Sequence, residues 1–224
     1  DTEVTHVRVE TRMQFYKDTS VVRIVNKVTN EGDSTQCLEY LSSFCYTGIE
    51  KEGKSNSDAK MRVRIPYNGW QKEMSIKEYT FGEVGLAQTQ PGVYQRTSQV
   101  LEVTNTGNWS TKKYLPLGYV ANTEAHTSLF WQIEHNGSWH YEISDQNNHF
   151  YVCVSGPTEV QSHWFKNLAP GESFESVPVA VGVTDDSFEK AVGELTKYRR
   201  LIRRPNKDDE NLPVIFNDYM NCLF

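Results

Sequence analysis

From residue 4 to about 183 apolar and polar residues alternate with a period of two, run after run, and turn residues separate the runs. That rhythm puts successive side chains on opposite faces of an extended strand, so the stretch can form sheets and little else. HVRVETRM sets Val7, Val9, Thr11 and Met13 against His6, Arg8, Glu10 and Arg12, the pattern of a half-buried strand. SVVRIVNKVTNEG repeats it and closes at Asn30-Glu31-Gly32. In LFWQIEHNGSWHYEISD, Trp131 and Ile133 lead into Asn136-Gly137, and Trp139, Tyr141 and Ile143 lead out. Asn-Gly accepts the positive φ angles of a type I′ turn, so this stretch predicts a hairpin. HFYVCVSGP is a further strand, stopped by Gly156-Pro157, and NLAPGESFESVPVAVGV offers a Pro170-Gly171 turn followed by Phe174, Val177, Val179, Val181 and Val183. Many strands at short spacing predict a mainly β fold, an antiparallel sandwich.

After Thr184 the period changes. Asp186 with Glu189 three places on reads as a capping-box start, and Phe188, Ala191, Val192, Leu195 and Tyr198 recur at helical spacing until Pro205 forbids continuation. One amphipathic helix is expected within 186–203, packed on the sandwich through Phe188, Val192 and Leu195. RRPNKDDENLP is charged and bounded by prolines, as linkers are. Val214, Ile215 and Phe216 then read as a short, fully buried strand that delivers Asn217 and Asp218 to its C-terminal end, where a parallel α/β architecture places its chemistry. The expected order is a sandwich over 1–184, a connecting helix and linker over 185–210, and the first strand of a second domain over 211–224.

The 224 residues are enough to bury a substantial core without staples. A pI near 5.6 and a formal charge of −6, with no long run of one sign, give no electrostatic footprint for nucleic acid or for an anionic membrane. Cys37, Cys45, Cys153 and Cys222 form no CxxC pair and have apolar neighbours. They read as buried free thiols, which favours a reducing, cytoplasmic setting. His126, His135, His140, His149 and His163 show no HxH or HExxH spacing, so no metal and no cofactor are expected. Ser155-Gly156-Pro157 lacks the elbow of a hydrolase nucleophile. Asp185-Asp186 and Asp208-Asp209 read as a helix start and a solvated linker rather than as paired catalytic carboxylates.

Several of these stretches, in this order, resemble the α-galactosidases of glycoside hydrolase family 36. NGWQKE, residues 68–73, is similar to the family's Trp-x-(Arg/Lys)-Glu stretch, and LAPGESFESVPVAVGV is similar to the closing strands of its N-terminal sandwich. RRP followed by PVIFNDYMN looks like the entry into the first strand of its catalytic barrel. The chain departs from the family where Ser110 to Pro116 reads STKKYLP, and where Asn217-Asp218-Tyr219-Met220-Asn221 replaces the frequent Asn-Thr-Trp-Glu-Ala. The resemblance implies an antiparallel β-supersandwich, one connecting helix and the first strand of a (β/α)8 barrel, all belonging to a retaining glycosidase whose catalytic Asp residues lie beyond Phe224. It implies an α-galactoside or related oligosaccharide as substrate, the chain's own catalytic barrel as partner, and homo-oligomer formation as a further role. Trp70, in a loop after Pro66-Tyr67-Asn68-Gly69, and Asn217, Asp218 and Tyr219 are the substrate-binding candidates. The other reading of the same residues is a free-standing, lectin-like sandwich.

Overall fold

A computed structural model of the chain describes residues 6–87, 99–146, 149–185 and 187–216. In chain order its strands are β1 (Val7–Phe15), β2 (Val21–Asn30), β3 (Gln36–Leu38), β4 (Ser42–Thr47), β5 (Met61–Tyr67), β6 (Ser75–Thr80), β7 (Val100–Asn105) and β8 (Leu117–Asn122). They continue as β9 (Thr127–Ile133), β10 (Trp139–Gln146), β11 (His149–Ser155), β12 (Lys166–Leu168), β13 (Ser173–Glu175) and β14 (Val179–Thr184). The helices are α1 (Ser57–Lys60), α2 (Glu159–Ser162), α3 (Phe188–Ile202) and α4 (Lys207–Asn211).

The strands form an eight-stranded sheet ordered β1-β2-β14-β9-β8-β5-β6, with β13 paired beside β14 on β2, and a four-stranded sheet ordered β4-β11-β10-β7. A small ribbon joins β12 to β3. Every pairing is antiparallel. The inward residues of the two larger sheets meet in one core: Ile24, Val63, Val120, Trp131 and Val179 on one side, Val103, Trp139, Tyr141, Ile143 and Val152 on the other. Trp131 and Tyr141 meet edge to face across it, with ring centroids 5.0 Å apart, and Trp139 stacks on Tyr141 at 6.2 Å. Gly118 makes room for this: a Cβ there would stand 2.1 Å from the Trp131 ring.

The other face of the large sheet is covered by α3. Val21, Tyr119, Ala121, Phe130 and Ala180 pack against Ala191, Leu195 and Tyr198. Phe188 meets Tyr119 edge to face at 5.3 Å, and the Arg64 guanidinium lies 4.5 Å over the Phe188 ring, which fixes the start of the helix. The cap is Ser187, whose side chain accepts from the Lys190 N–H at 3.3 Å, and not the expected Asp186, which lies outside the described residues. Val192 faces solvent, and Tyr198 takes the expected place of that residue in the interface. The helix stops before Pro205, whose ring disfavours helical backbone at Arg204.

Three further expectations change. Trp131 and Trp139 do not share a hairpin: β9 pairs with β8 and β14, whereas β10 pairs with β7 and β11. The connection 134–138 crosses from one sheet to the other, and neither Asn136 nor Gly137 has positive φ. Both flanking strands turn their apolar faces to the same core, so the local pattern matches a hairpin although the partners differ. β1 forms as predicted, but it is an edge strand, paired with β2 on one side alone, and Val9, Met13 and Phe15 are exposed. Finally, Val214, Ile215 and Phe216 form no strand and are 99%, 86% and 81% exposed. A buried strand needs neighbours to take its backbone hydrogen bonds, and none of the described strands lies beside it. The Pro170-Gly171 turn appears as read: Gly171 has φ 82°, and the Glu172 N–H donates to Ala169 O at 2.9 Å.

Candidate functional site

Two loops meet at one end of the sandwich, 68–74 and 106–116. Asn68 joins them. Its Nδ2 donates to Thr111 O at 2.6 Å and its backbone N–H to Lys113 O at 2.9 Å, while its Oδ1 accepts from the Met74 N–H at 3.2 Å. One side chain thus closes its own loop and anchors it to the neighbouring one.

Trp70 stands at the tip. The Lys72 N–H donates to Gly69 O at 2.9 Å, closing a four-residue turn whose third residue, Gln71, has φ 59°. Met74 is also left-handed, at φ 50°. Left-handed backbone at a residue with a Cβ costs roughly 1–2 kcal/mol, and such strain concentrates at functional loops. The turn presents the Trp70 indole with 85% of its surface exposed.

The second loop is held from below. Buried Asn105 donates from Nδ2 to Trp109 O at 2.6 Å, and Trp139, whose ring fills the core, donates from Nε1 to Ser110 O at 2.8 Å. Trp109 is 56% exposed, its Nε1 donating to Thr111 Oγ1 at 3.1 Å. Trp109 is not among the binding candidates read from the sequence; the signal that points to it is the turn-forming Thr106-Gly107-Asn108 just before it. Beneath both loops Tyr67 and Tyr114 pack at 5.4 Å, and the hydrogen bond between Tyr79 and Tyr67 is the main reason the Tyr67 phenol is pushed up to about 12. This end therefore carries two exposed indoles on braced loops, a surface that can stack on the apolar face of a ring-shaped ligand. Of the four predicted binding residues the structure places Trp70 here; Asn217, Asp218 and Tyr219 lie outside the described residues.

A second polar constellation occupies the outer face of the small sheet. Ligand-type atoms of Glu102, His140 and Glu142 lie within 4.8 Å of one another, a grouping that could hold a metal ion. Each already has protein partners: His140 Nδ1 meets Thr104 Oγ1 at 2.7 Å and its Nε2 meets Glu142 Oε2 at 3.4 Å, Tyr151 donates to Glu142 Oε1 at 2.8 Å, and Gln161 donates to Glu102 Oε1 at 3.2 Å. The His140 bond, foremost, holds the Glu142 carboxyl below its ordinary range. On the same face Cys45 and Cys153 are cross-strand partners. The described cysteines carry free thiols, but only Cys153 is buried; Cys37 and Cys45 are exposed, contrary to the expectation from their apolar sequence neighbours. Cys37 lies in the small ribbon and Cys45 on the outward face of an edge strand, and neither has a layer over it. Among the described residues no helix is long and apolar enough to cross a membrane.

No family model matches the sequence, and no curated protein matches it. The fold does have solved counterparts. A doubly substituted family 36 α-galactosidase AgaA from Geobacillus stearothermophilus, in complex with stachyose, matches 91% of this chain with a TM-score of 0.70 at 15% identity. The α-galactosidase from Lactobacillus brevis matches 88% with a TM-score of 0.69 at 13% identity. The galactosidase domain of an α-galactosidase-sucrose kinase, AgaSK, matches 84% with a TM-score of 0.67 at 14% identity. The chain spans only 26%, 24% and 23% of these proteins. It has the sandwich fold of the N-terminal region of family 36 α-galactosidases.

Proposed function

We propose that this chain is the N-terminal, non-catalytic sandwich of a retaining, α-galactosidase-like glycoside hydrolase, packing on a (β/α)8 barrel that follows it and helping to shape the sugar site. The observation that carries the reading is the shared fold, which takes in 91% of this chain and 26% of an α-galactosidase crystallised with stachyose. A retaining mechanism needs a nucleophilic carboxylate and a proton-donating carboxyl about 5–5.5 Å apart. In this proposal both come from barrel strands beyond Phe224, and the chain contributes binding groups.

Asn217, Asp218 and Tyr219 would follow the first barrel strand and face the sugar, since the C-terminal ends of barrel strands build the site. Asp218 as a carboxylate can accept from two sugar hydroxyls, and a charged acceptor contributes about 1.5–3 kcal/mol. Trp70 would reach the mouth of the site from its braced turn. The test is kcat/KM on a chromogenic α-galactoside, measured on the protein that continues past Phe224 and on its Asp218→Ala variant. Turnover by the parent, and a drop of roughly tenfold or more with little change in melting temperature, is the expected result; tenfold corresponds to about 1.4 kcal/mol of transition-state binding. Absence of turnover overturns the enzymatic reading. An earlier melt with unchanged kcat/KM makes Asp218 a helix cap instead. The exposed Trp70 and Trp109 favour one competing reading, a self-sufficient carbohydrate-binding sandwich. Calorimetric binding of raffinose by residues 1–224 alone would support that reading.

A further inference from the structure

The outer face of the small sheet carries one transverse rung of four chemistry-bearing side chains. Cys45 on β4 lies opposite Cys153 on β11, Cys153 opposite Glu142 on β10, and Glu142 opposite Glu102 on β7. Residues directly opposite in an antiparallel pair have Cα atoms about 4.5 or 5.5 Å apart, and a disulfide spans Cα atoms about 4.4–6.8 Å apart, so the two sulfurs can bond with little backbone movement. The two thiols are unequal. Cys45 is exposed, whereas Cys153 is 7% exposed, with the Tyr40 hydroxyl 3.0 Å from its sulfur.

We propose that Cys45 and Cys153 form a peroxide-reactive dithiol, with Cys45 as the attacking thiolate and Cys153 as the resolving thiol. In the first step the Cys45 thiolate attacks one oxygen of hydrogen peroxide; the O–O bond breaks, and hydroxide leaves and takes up a proton as water. Cys45 is then a sulfenic acid. In the second step the Cys153 sulfur attacks the Cys45 sulfur; the S–O bond breaks, and the hydroxyl departs with the Cys153 proton as a second water. Two thiols lose two electrons, one peroxide is reduced to two waters, and a dithiol reductant reverses the bond.

The surroundings favour this division of roles. The Cys45 thiol is lowered to about 7 because the Cys153 thiol donates to it, and that same hydrogen bond together with burial pushes Cys153 up. The Glu142 carboxylate adds negative charge that raises both thiols, and the titratable groups sharing this face include Glu102, His140, Tyr40, His149 and Tyr151. The proton shared by the pair therefore stays on the buried sulfur. A lowered thiol pKa raises the thiolate fraction near neutral pH, and the thiolate is the form that attacks peroxide. Exposed, low-pKa cysteines beside a resolving cysteine are the pattern of reversible oxidation.

The experiment treats the reduced protein with equimolar hydrogen peroxide, alkylates what remains and maps peptides by mass. The expected result is a Cys45–Cys153 linked peptide with both thiols lost to alkylation. Cys153→Ser leaves Cys45 as a sulfenic acid that reacts with dimedone, while Cys45→Ser removes the link and leaves Cys153 unlabelled. Cys45 is exposed, so its variant keeps the fold and decides the matter with the parent even where Cys153→Ser does not fold. Both thiols remaining alkylatable in the folded parent, or dimedone labelling of Cys153 in Cys45→Ser, would overturn the proposal.

Discussion

Trp131 and Trp139 are wholly buried between the sheets, while Trp70 and Trp109 stand 85% and 56% exposed on loops at one end of the same sandwich. The side chain is the same and the physical role is opposite. In the interior each indole replaces water by close-packed neighbours, which stabilises the fold in proportion to the apolar area removed. At the loop end the indoles gain little from folding, yet a strained Gln71 turn and a stapled Asn68 hold Trp70 outward. Trp139 belongs to both regions, since its ring packs in the core and its Nε1 holds the Trp109 loop. Core packing and the exposed indoles are thus separated in space but mechanically joined.

Truncating one indole from each region should expose the difference most strongly. Trp131→Ala should cost about 3–5 kcal/mol in urea unfolding, the range for large aromatic truncations in a core, whereas Trp70→Ala should stay within about 0.5 kcal/mol of the parent. Equal losses at the two sites would erase the distinction. Gly118→Ala probes the same interior from the opposite direction, because the new methyl would meet the Trp131 ring at 2.1 Å. Overpacking of this kind should cost about 1–3 kcal/mol, visible in the same unfolding curves, and a neutral result would mean that the core can shift.

Much of this contrast was legible in the sequence. The two-residue period locates the strands, and Trp131 with Ile133 and Trp139 with Tyr141 and Ile143 fall on the apolar face of theirs. Asn68-Gly69 before Trp70 marked a loop. What the pattern could not supply was pairing: alternation says which face of a strand is apolar but not which sheet it joins, so the Asn136-Gly137 crossover looked like a hairpin. For the same reason nothing in the sequence put Cys45 opposite Cys153, a relation created by register between strands about a hundred residues apart. Apolar neighbours in sequence also misplaced Cys45, since along a strand adjacent residues face opposite ways.

Smaller effects sharpen the contrast. Gln71→Gly removes the penalty for left-handed backbone at the tip of the Trp70 turn and should raise stability by about 1 kcal/mol, or roughly 2–4 °C in melting temperature. A lower melting temperature would show that the Gln71 side chain matters more than the strain. On the outer face of the small sheet, Glu142 has a folded-state pKa below its ordinary 4.5, chiefly through His140. The stability it contributes should therefore be complete above pH 4.5 and disappear as the pH falls through the folded value. Glu142→Gln should flatten that acid limb of a melting-temperature profile, and an unchanged limb would remove Glu142 from the account.

In the proposed function this sandwich serves a catalytic barrel and hydrolyses no substrate itself. Purified residues 1–224, folded by circular dichroism, should give no turnover of a chromogenic α-galactoside under conditions where the protein continuing past Phe224 hydrolyses it. Turnover by the purified chain that persists through further purification would contradict the account.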